Sequence, residues 1–207
     1  MISRRGIIVM MVAGLAMSDA AVAQCAEAAG TGESADSLIR QLGDDAVRML
    51  ANGSLTEQQR EAEFHRLLLT GFDLDTISRL VLGRFWRQAS DAQKSEFRSL
   101  FEVYVVKSYV ARLGHYDGET FKVSGTRPGD GGDVMVQSEI DRPNGPPIHV
   151  EWRVRKEDAG YRIVDVFVDG ISMMQTQRDE FATVIQNNGD KVDALLSRLR
   201  QQTAAKG

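Results

Sequence analysis

YRIVDVFVDGISMM, residues Tyr161–Met174, is the stretch that decides the fold. Its alternation sets Tyr161, Ile163, Asp165 and Phe167 on one face and Val164, Val166 and Val168 on the other, the period of two that marks a strand. Both faces are largely apolar, which predicts a strand covered on both sides. The strand stops at Asp169-Gly170, turn chemistry in which Gly170 takes a positive φ without steric cost. Ser172 and Gln175 then make a capping-box pattern at the start of a helix that continues through QTQRDEF. A strand delivered straight into a helix ties a sheet to a helical layer, and the space between the two is a place for a ligand.

Upstream of this stretch three more segments alternate: Glu119–Arg127, Asp133–Asp141 and Ile148–Lys156. The last is the cleanest, with Ile148, Val150, Trp152 and Val154 against His149, Glu151, Arg153 and Arg155. All four prolines (Pro128, Pro143, Pro146, Pro147) fall between these strands. The short links predict an antiparallel meander.

From Ser37 to about Gly114 the chain has no proline and reads as helix. Leu38, Leu42, Ala46, Met49 and Leu50 form one stripe; Phe64, Leu67 and Leu68 mark a second helix. Asp73 caps a third that carries Ile77, Leu80 and Val81 and stops at Gly83. After Arg84-Phe85-Trp86-Arg87, Ser90 and Gln93 cap the longest helix, which runs to about Leu113 before Gly114. Its stripe of Phe97, Leu100, Phe101, Tyr104, Val105 and Ser108, widened by Val106, Tyr109, Val110 and Leu113, is broader than a helix on one flat sheet requires. Beyond the strands, a helix from Ser172 reaches Asn187-Asn188-Gly189, and Asp190 caps a final helix with Val192, Leu195, Leu196 and Leu199. The order of helices, four strands and helices predicts an α+β domain: a four-stranded, mainly antiparallel curved sheet packed against several helices.

The 207-residue chain opens with Arg4-Arg5, an apolar run Gly6–Met17 too short to span a bilayer, and Ala21-Val22-Ala23. That is the pattern of a cleaved export signal, residues 1–23. Its loss takes the net charge from −4 to −5. Residues 24–36 are small and polar, a loose lead-in; residues 37–202 make the domain and 203–207 a tail. The single cysteine, Cys25, excludes a disulfide framework within one chain, and Gln24 before it fits a lipid-anchor signal poorly. Scattered basic residues exclude the footprint of a nucleic-acid binder.

Signals for chemistry are sparse. His65, His115 and His149 have no metal-ligand spacing, and no nucleophile elbow or phosphate loop is present. Asp165 shares an apolar strand face and has two readings: a carboxylate working as a general base on an apolar substrate, or a structural acid paired with Arg153, Arg155 or a backbone amide. Arg84, Arg87, Arg153, Arg155, Lys156 and Arg162 are candidates to meet an anionic headgroup or an acidic partner, against an ordinary solvated face.

FDLDTISRLVLGRFWRQAS, the helix beginning SDAQKSEFRSLFEVYV, and YRIVDVFVDGISMMQTQRDEF together resemble the MlaC family, from about Ser37 to Arg200. Its most specific parts are Leu82-Gly83 with Trp86, and Asp165-Val166 followed by Gly170-Ile171-Ser172. RPNGPP (Arg142–Pro147) and Val184–Gly189 resemble a subgroup associated with hopanoid biosynthesis loci. The resemblance implies a periplasmic lipid carrier without catalysis, with no cofactor beyond its lipid cargo. That cargo is a phospholipid, or a hopanoid or other polycyclic lipid. The implied partners are an inner-membrane ABC transporter with an MCE-domain subunit and an outer-membrane lipoprotein complex.

Tails would then enter a cavity between sheet and helices. The expected lining is Phe97, Phe101, Tyr104 and Val105 on the long helix, and Val150, Trp152, Val154, Val164, Val166 and Val168 on the strands. Phe85 and Trp86 stand near the entrance, and Met173 is an adaptable wall. Opening is expected around Phe85–Arg87 and the Asp169–Met174 joint. The rival readings are the Asp165 enzyme and a partner-binding scaffold with a filled core.

Overall fold

The computed structural model describes residues 34–110 and 116–204. The expected export signal, Cys25, His115, and the end of the long helix near Leu113–Gly114 lie outside the described residues. The chain runs α1 (Ala35–Ala51), α2 (Glu57–Gly71), α3 (Leu74–Leu82), α4 (Asp91–Val110), β1 (Thr120–Pro128), β2 (Val134–Arg142), β3 (Gly145–Glu157), β4 (Gly160–Val168), β5 (Ile171–Ser172), α5 (Met173–Gln186) and α6 (Val192–Ala204). A 3₁₀ turn, Gly83–Arg87, links α3 to α4. The strands lie in chain order, each antiparallel to the next. The α+β meander is therefore as read from the sequence, with five strands in place of four.

The fifth strand follows from the turn. Asp169 and Gly170 both take positive φ, 48° and 82°, the requirement of a tight two-residue hairpin. The chain folds back so that Ile171 and Ser172 pair with Val168 and Phe167 before the helix begins.

Helix starts follow their caps. Ser34 and Thr56 close capping boxes with Ser37 and Gln59, so α1 begins at Ala35 rather than Ser37. Asp73 accepts the Thr76 N–H at 2.9 Å. Ser172 Oγ accepts from Gln175 N at 2.9 Å, but the Gln175 side chain turns to Asp179, so half the expected box forms. Asp190 does not cap α6. It adopts φ 59° and its N–H donates to Ile185 O, closing α5.

Two strand readings change. Pro146 and Pro147 lie inside β3. They fit because the β2–β3 register slips between Ile140 and Arg142, and β4 pairs with β3 only from Val150 onward. In β4, Arg153 faces Asp165 while Val154 faces Ile163, which makes Val164 the extra residue of a bulge. Strict alternation is lost there: Ile163 packs with Val154, Val136, Leu38 and Ile39 of α1, and after the bulge Val166 and Val168 point to the same side. No residue of β4 is exposed, in keeping with the expected cover on both its faces, whereas β1–β3 are covered on one. The opposite face of the sheet carries Arg127, Gln137 and Glu151 in a hydrogen-bonded cluster, with Arg153 and Arg155 beside them.

Asp133, 3% exposed at the start of β2, holds that face together. Arg153 Nε donates to it at 2.6 Å and Arg155 Nε at 2.9 Å. Burial pushes the Asp133 carboxyl up, but hydrogen bonds and charge from Arg155 and Arg153 outweigh it and hold the group below the ordinary carboxylate range. A depressed folded value gives stability that is present above the unfolded value of about 3.9 and lost as pH falls through the folded one. Asp133→Asn is expected to cost about 2 kcal/mol at pH 7, between exposed and buried pairs. Its urea-unfolding stability should also decline less than that of the parent protein as pH drops below 4. Parallel pH curves would refute this.

Candidate functional site: an apolar cavity between sheet and helices

Three cores form separately. Phe85, Phe97, Phe101, Phe181, Leu195, Leu196 and Leu199 close a helical core among α3–α6. Leu38 and Ile39 close α1 onto Val123, Val136, Val154 and Ile163 of the sheet. Leu68, Val106 and Val110 join α2 to α4. Between these cores lies a cavity of about 600 Å³.

Its wall is almost wholly apolar. Ile39, Leu42, Ala46, Val47 and Leu50 come from α1, Phe64, Leu67 and Leu68 from α2, and Phe101, Val105 and Tyr109 from α4. The sheet adds Phe121, Ile140, Ile148, Trp152, Val164, Val166 and Val168, and α5 adds Met173 and Met174. Gly43 permits this closeness: a Cβ there would stand 2.2 Å from the Phe121 ring. The half-buried indole of the wall has its acceptor. Trp152 Nε1 donates to Ser138 Oγ at 2.8 Å, and Ser138 donates to Val150 O at 3.1 Å.

Asp165, 4% exposed, also borders the cavity. One carboxylate oxygen accepts from Val166 N at 2.8 Å and Met174 N at 3.1 Å; the other accepts from Ser172 Oγ at 2.6 Å. The acid clasps the β4–β5–α5 joint through backbone amides and a hydroxyl. It does not pair with Arg153 or Arg155, both of which go to Asp133.

The exposed residues of the wall are Tyr109 of α4 and, at the end of the sheet where β2 turns into β3, Thr120 and Arg142. Tyr116 and Glu119 complete this rim. Tyr116 Oη donates to Glu119 O at 3.0 Å, and Asp117 N donates to the Glu119 carboxylate at 2.9 Å.

Of the residues expected to line a cavity, Phe101, Val105, Trp152, Val164, Val166, Val168 and Met173 meet in this wall. Phe97, Phe85, Trp86 and Tyr104 do not. Phe97 is fully buried and stacks on Phe101 at 5.6 Å and edge-on against Phe181 at 5.9 Å. Tyr104 and Trp86 pack on the same helical core, Trp86 with Arg98 5.1 Å over its ring. Most of the wide α4 stripe serves α5 and α6, and its Phe101–Val105–Tyr109 edge turns to the cavity. Val150 and Val154 are buried within the sheet layer. The Phe85–Arg87 segment is not at the rim.

The expected headgroup cations also lie elsewhere. Arg84 stands over Phe85 and 3.9 Å from Asp190, Lys156 over Tyr161, and Arg162 donates to Tyr161 O. What the sequence reading missed is the contribution of α1 and α2, and Arg142. Among the described residues, no group of His, Cys, Asp or Glu could hold a metal ion.

A family model described as MlaC protein matches residues 40–201. The toluene tolerance protein ttg2D of Pseudomonas putida is 25% identical over 130 residues, 62% of this chain. The match spans 60% of that relative's length. The solved phospholipid-binding protein from Ralstonia solanacearum, determined in complex with a phospholipid, shares the fold with a TM-score of 0.72. It is 23% identical, over 83% of this chain and 97% of its own.

Proposed function

The chain belongs to the MlaC family, and we propose that it is a periplasmic carrier that buries the acyl tails of a lipid in its cavity and moves lipid between the outer and inner membranes. The observation that carries this reading is the apolar space of about 600 Å³ left between three cores that each close without it. A space left among packed cores is poorly explained as core, because interiors pack to crystal-like density. Its volume falls in the middle of the 300–1,000 Å³ common for ligand sites. Met173 and Met174 in the wall give it room to repack.

The energetics suit a shuttle. Two sixteen-carbon tails exposed to water forfeit about 25 kcal/mol, at roughly 0.8 kcal/mol per methylene. A carrier therefore has to match the bilayer interior rather than exceed it. Among the described residues no helix is long and apolar enough to cross a membrane, in keeping with a protein that visits membranes through partners. We assign those partners as an inner-membrane ABC transporter with an MCE-domain subunit and an outer-membrane lipoprotein complex. Asp165, with both oxygens engaged by three donors, is poorly placed to serve as a general base.

The test is native mass spectrometry with organic extraction, on protein purified without detergent. We expect one diacyl lipid mass per chain. A bare protein mass on a folded chain would sink the carrier reading and return the cavity to a scaffold.

A further inference from the structure

Resting on the carrier reading, we propose that Arg142 is the headgroup anchor, pairing its guanidinium with the phosphodiester of a glycerophospholipid whose tails fill the cavity. The strand's own period places it there. Val134, Val136, Ser138, Ile140 and Arg142 share the helix-facing side of β2, and Ile140 and Arg142 both border the cavity. An apolar row thus ends in a cation at the rim.

Arg142 is the only cation in the cavity wall among the described residues. It has no carboxylate partner there; its Nε and Nη2 both donate to Pro146 O, at 2.9 and 2.6 Å. The guanidinium is laid over Gly145, where a Cβ would stand 3.2 Å from its Cζ. Two of its nitrogens are thereby fixed by one carbonyl of the β2–β3 turn, while Nη1 donates to no described residue. A held, uncompensated guanidinium beside an apolar hole matches an acyl chain that ends in a phosphate, because its fork fits phosphate oxygens in pairs. Glu119, the acid of the rim, is already engaged by Asp117 N. An uncharged polycyclic lipid would leave the cation unused, so the anchor selects for the phosphodiester.

The experiment offers lipid-free protein an equimolar mixture of a dioleoyl phosphatidylglycerol and dioleoylglycerol, which have the same tails with and without phosphate, and quantifies what is extracted. The parent protein is expected to enrich the phospholipid about tenfold, the discrimination of one charge-assisted pair at a partly solvated rim. Arg142→Gln should bring the ratio of the two lipids to about one, and Arg142→Lys should retain part of the enrichment. An unchanged ratio in Arg142→Gln overturns the anchor and leaves the carrier standing. Failure of the parent protein to take up either lipid overturns both. Binding of inorganic phosphate by the lipid-free protein with the same dependence on Arg142 also overturns it, because the site would then serve a free anion.

Discussion

Ala46→Trp is expected to reduce retained lipid at least about tenfold while leaving the fold intact. Ala46 sits on the cavity side of α1, one turn from Gly43 and from Leu50, and all three border the space. An indole there projects into volume the lipid tails need, so one substitution removes much of the roughly 600 Å³. Overpacking a filled core costs about 1–3 kcal/mol, but here the ring enters space that is open, and alanine-to-tryptophan bulk gains apolar contact. Unfolding free energy should therefore change by less than about 1 kcal/mol. Lipid per chain by extraction, with circular dichroism as the check on fold, reads the outcome. Ala92→Trp, on the exposed first turn of α4, adds the same ring outside the cavity and should leave lipid unchanged. Equal lipid in the two variants would place the cargo somewhere other than this cavity. Loss of stability in Ala46→Trp by several kcal/mol would mean the space is closed core.

The contrast between α1 and α4 shows what a sequence can disclose of such a site. Periodicity identifies which residues leave the surface, so the helices and the meander are legible. Whether a buried face meets another side chain or a hole depends on the distance between elements, which no local pattern records. The α1 stripe of Leu42, Ala46 and Leu50 and the α4 stripe of Phe97 and Phe101 are built alike, yet the first lines the cavity and most of the second is helical core. The bulge at Val164 is silent for a related reason: an extra valine in a run of valines leaves no mark, and it moves Val166 and Val168 to the face of Ile163. Arg142 is the opposite case. The alternation that places Ile140 places it too, but the prolines around it carry the signature of a connector, which has no strand face.

The second large effect is expected at Asp165, where the two substitutions should separate by size. Asp165→Ala leaves three donors facing a hole: the Val166 and Met174 amides and the Ser172 hydroxyl. Each buried donor left without an acceptor costs about 1–3 kcal/mol, and some regain water from the cavity, so the sum is about 3–5 kcal/mol of unfolding free energy. Asp165→Asn keeps an oxygen for the two amides. Its NH₂ group then meets the Ser172 oxygen, which already accepts from Gln175 N, and the Ser172 proton is left without its acceptor. The cost should fall to about 1–2 kcal/mol. Because Met173 and Met174 follow directly in the wall, the joint is also where lipid retention should suffer, and Asn should retain lipid where Ala loses it with the fold. Denaturant midpoints and extracted lipid, measured on both variants, decide between two roles for the same carboxylate. A clasp gives the graded pair, with lipid following stability. A general base would make Asn and Ala equally inactive toward a substrate while costing the fold little, and that result would overturn the clasp.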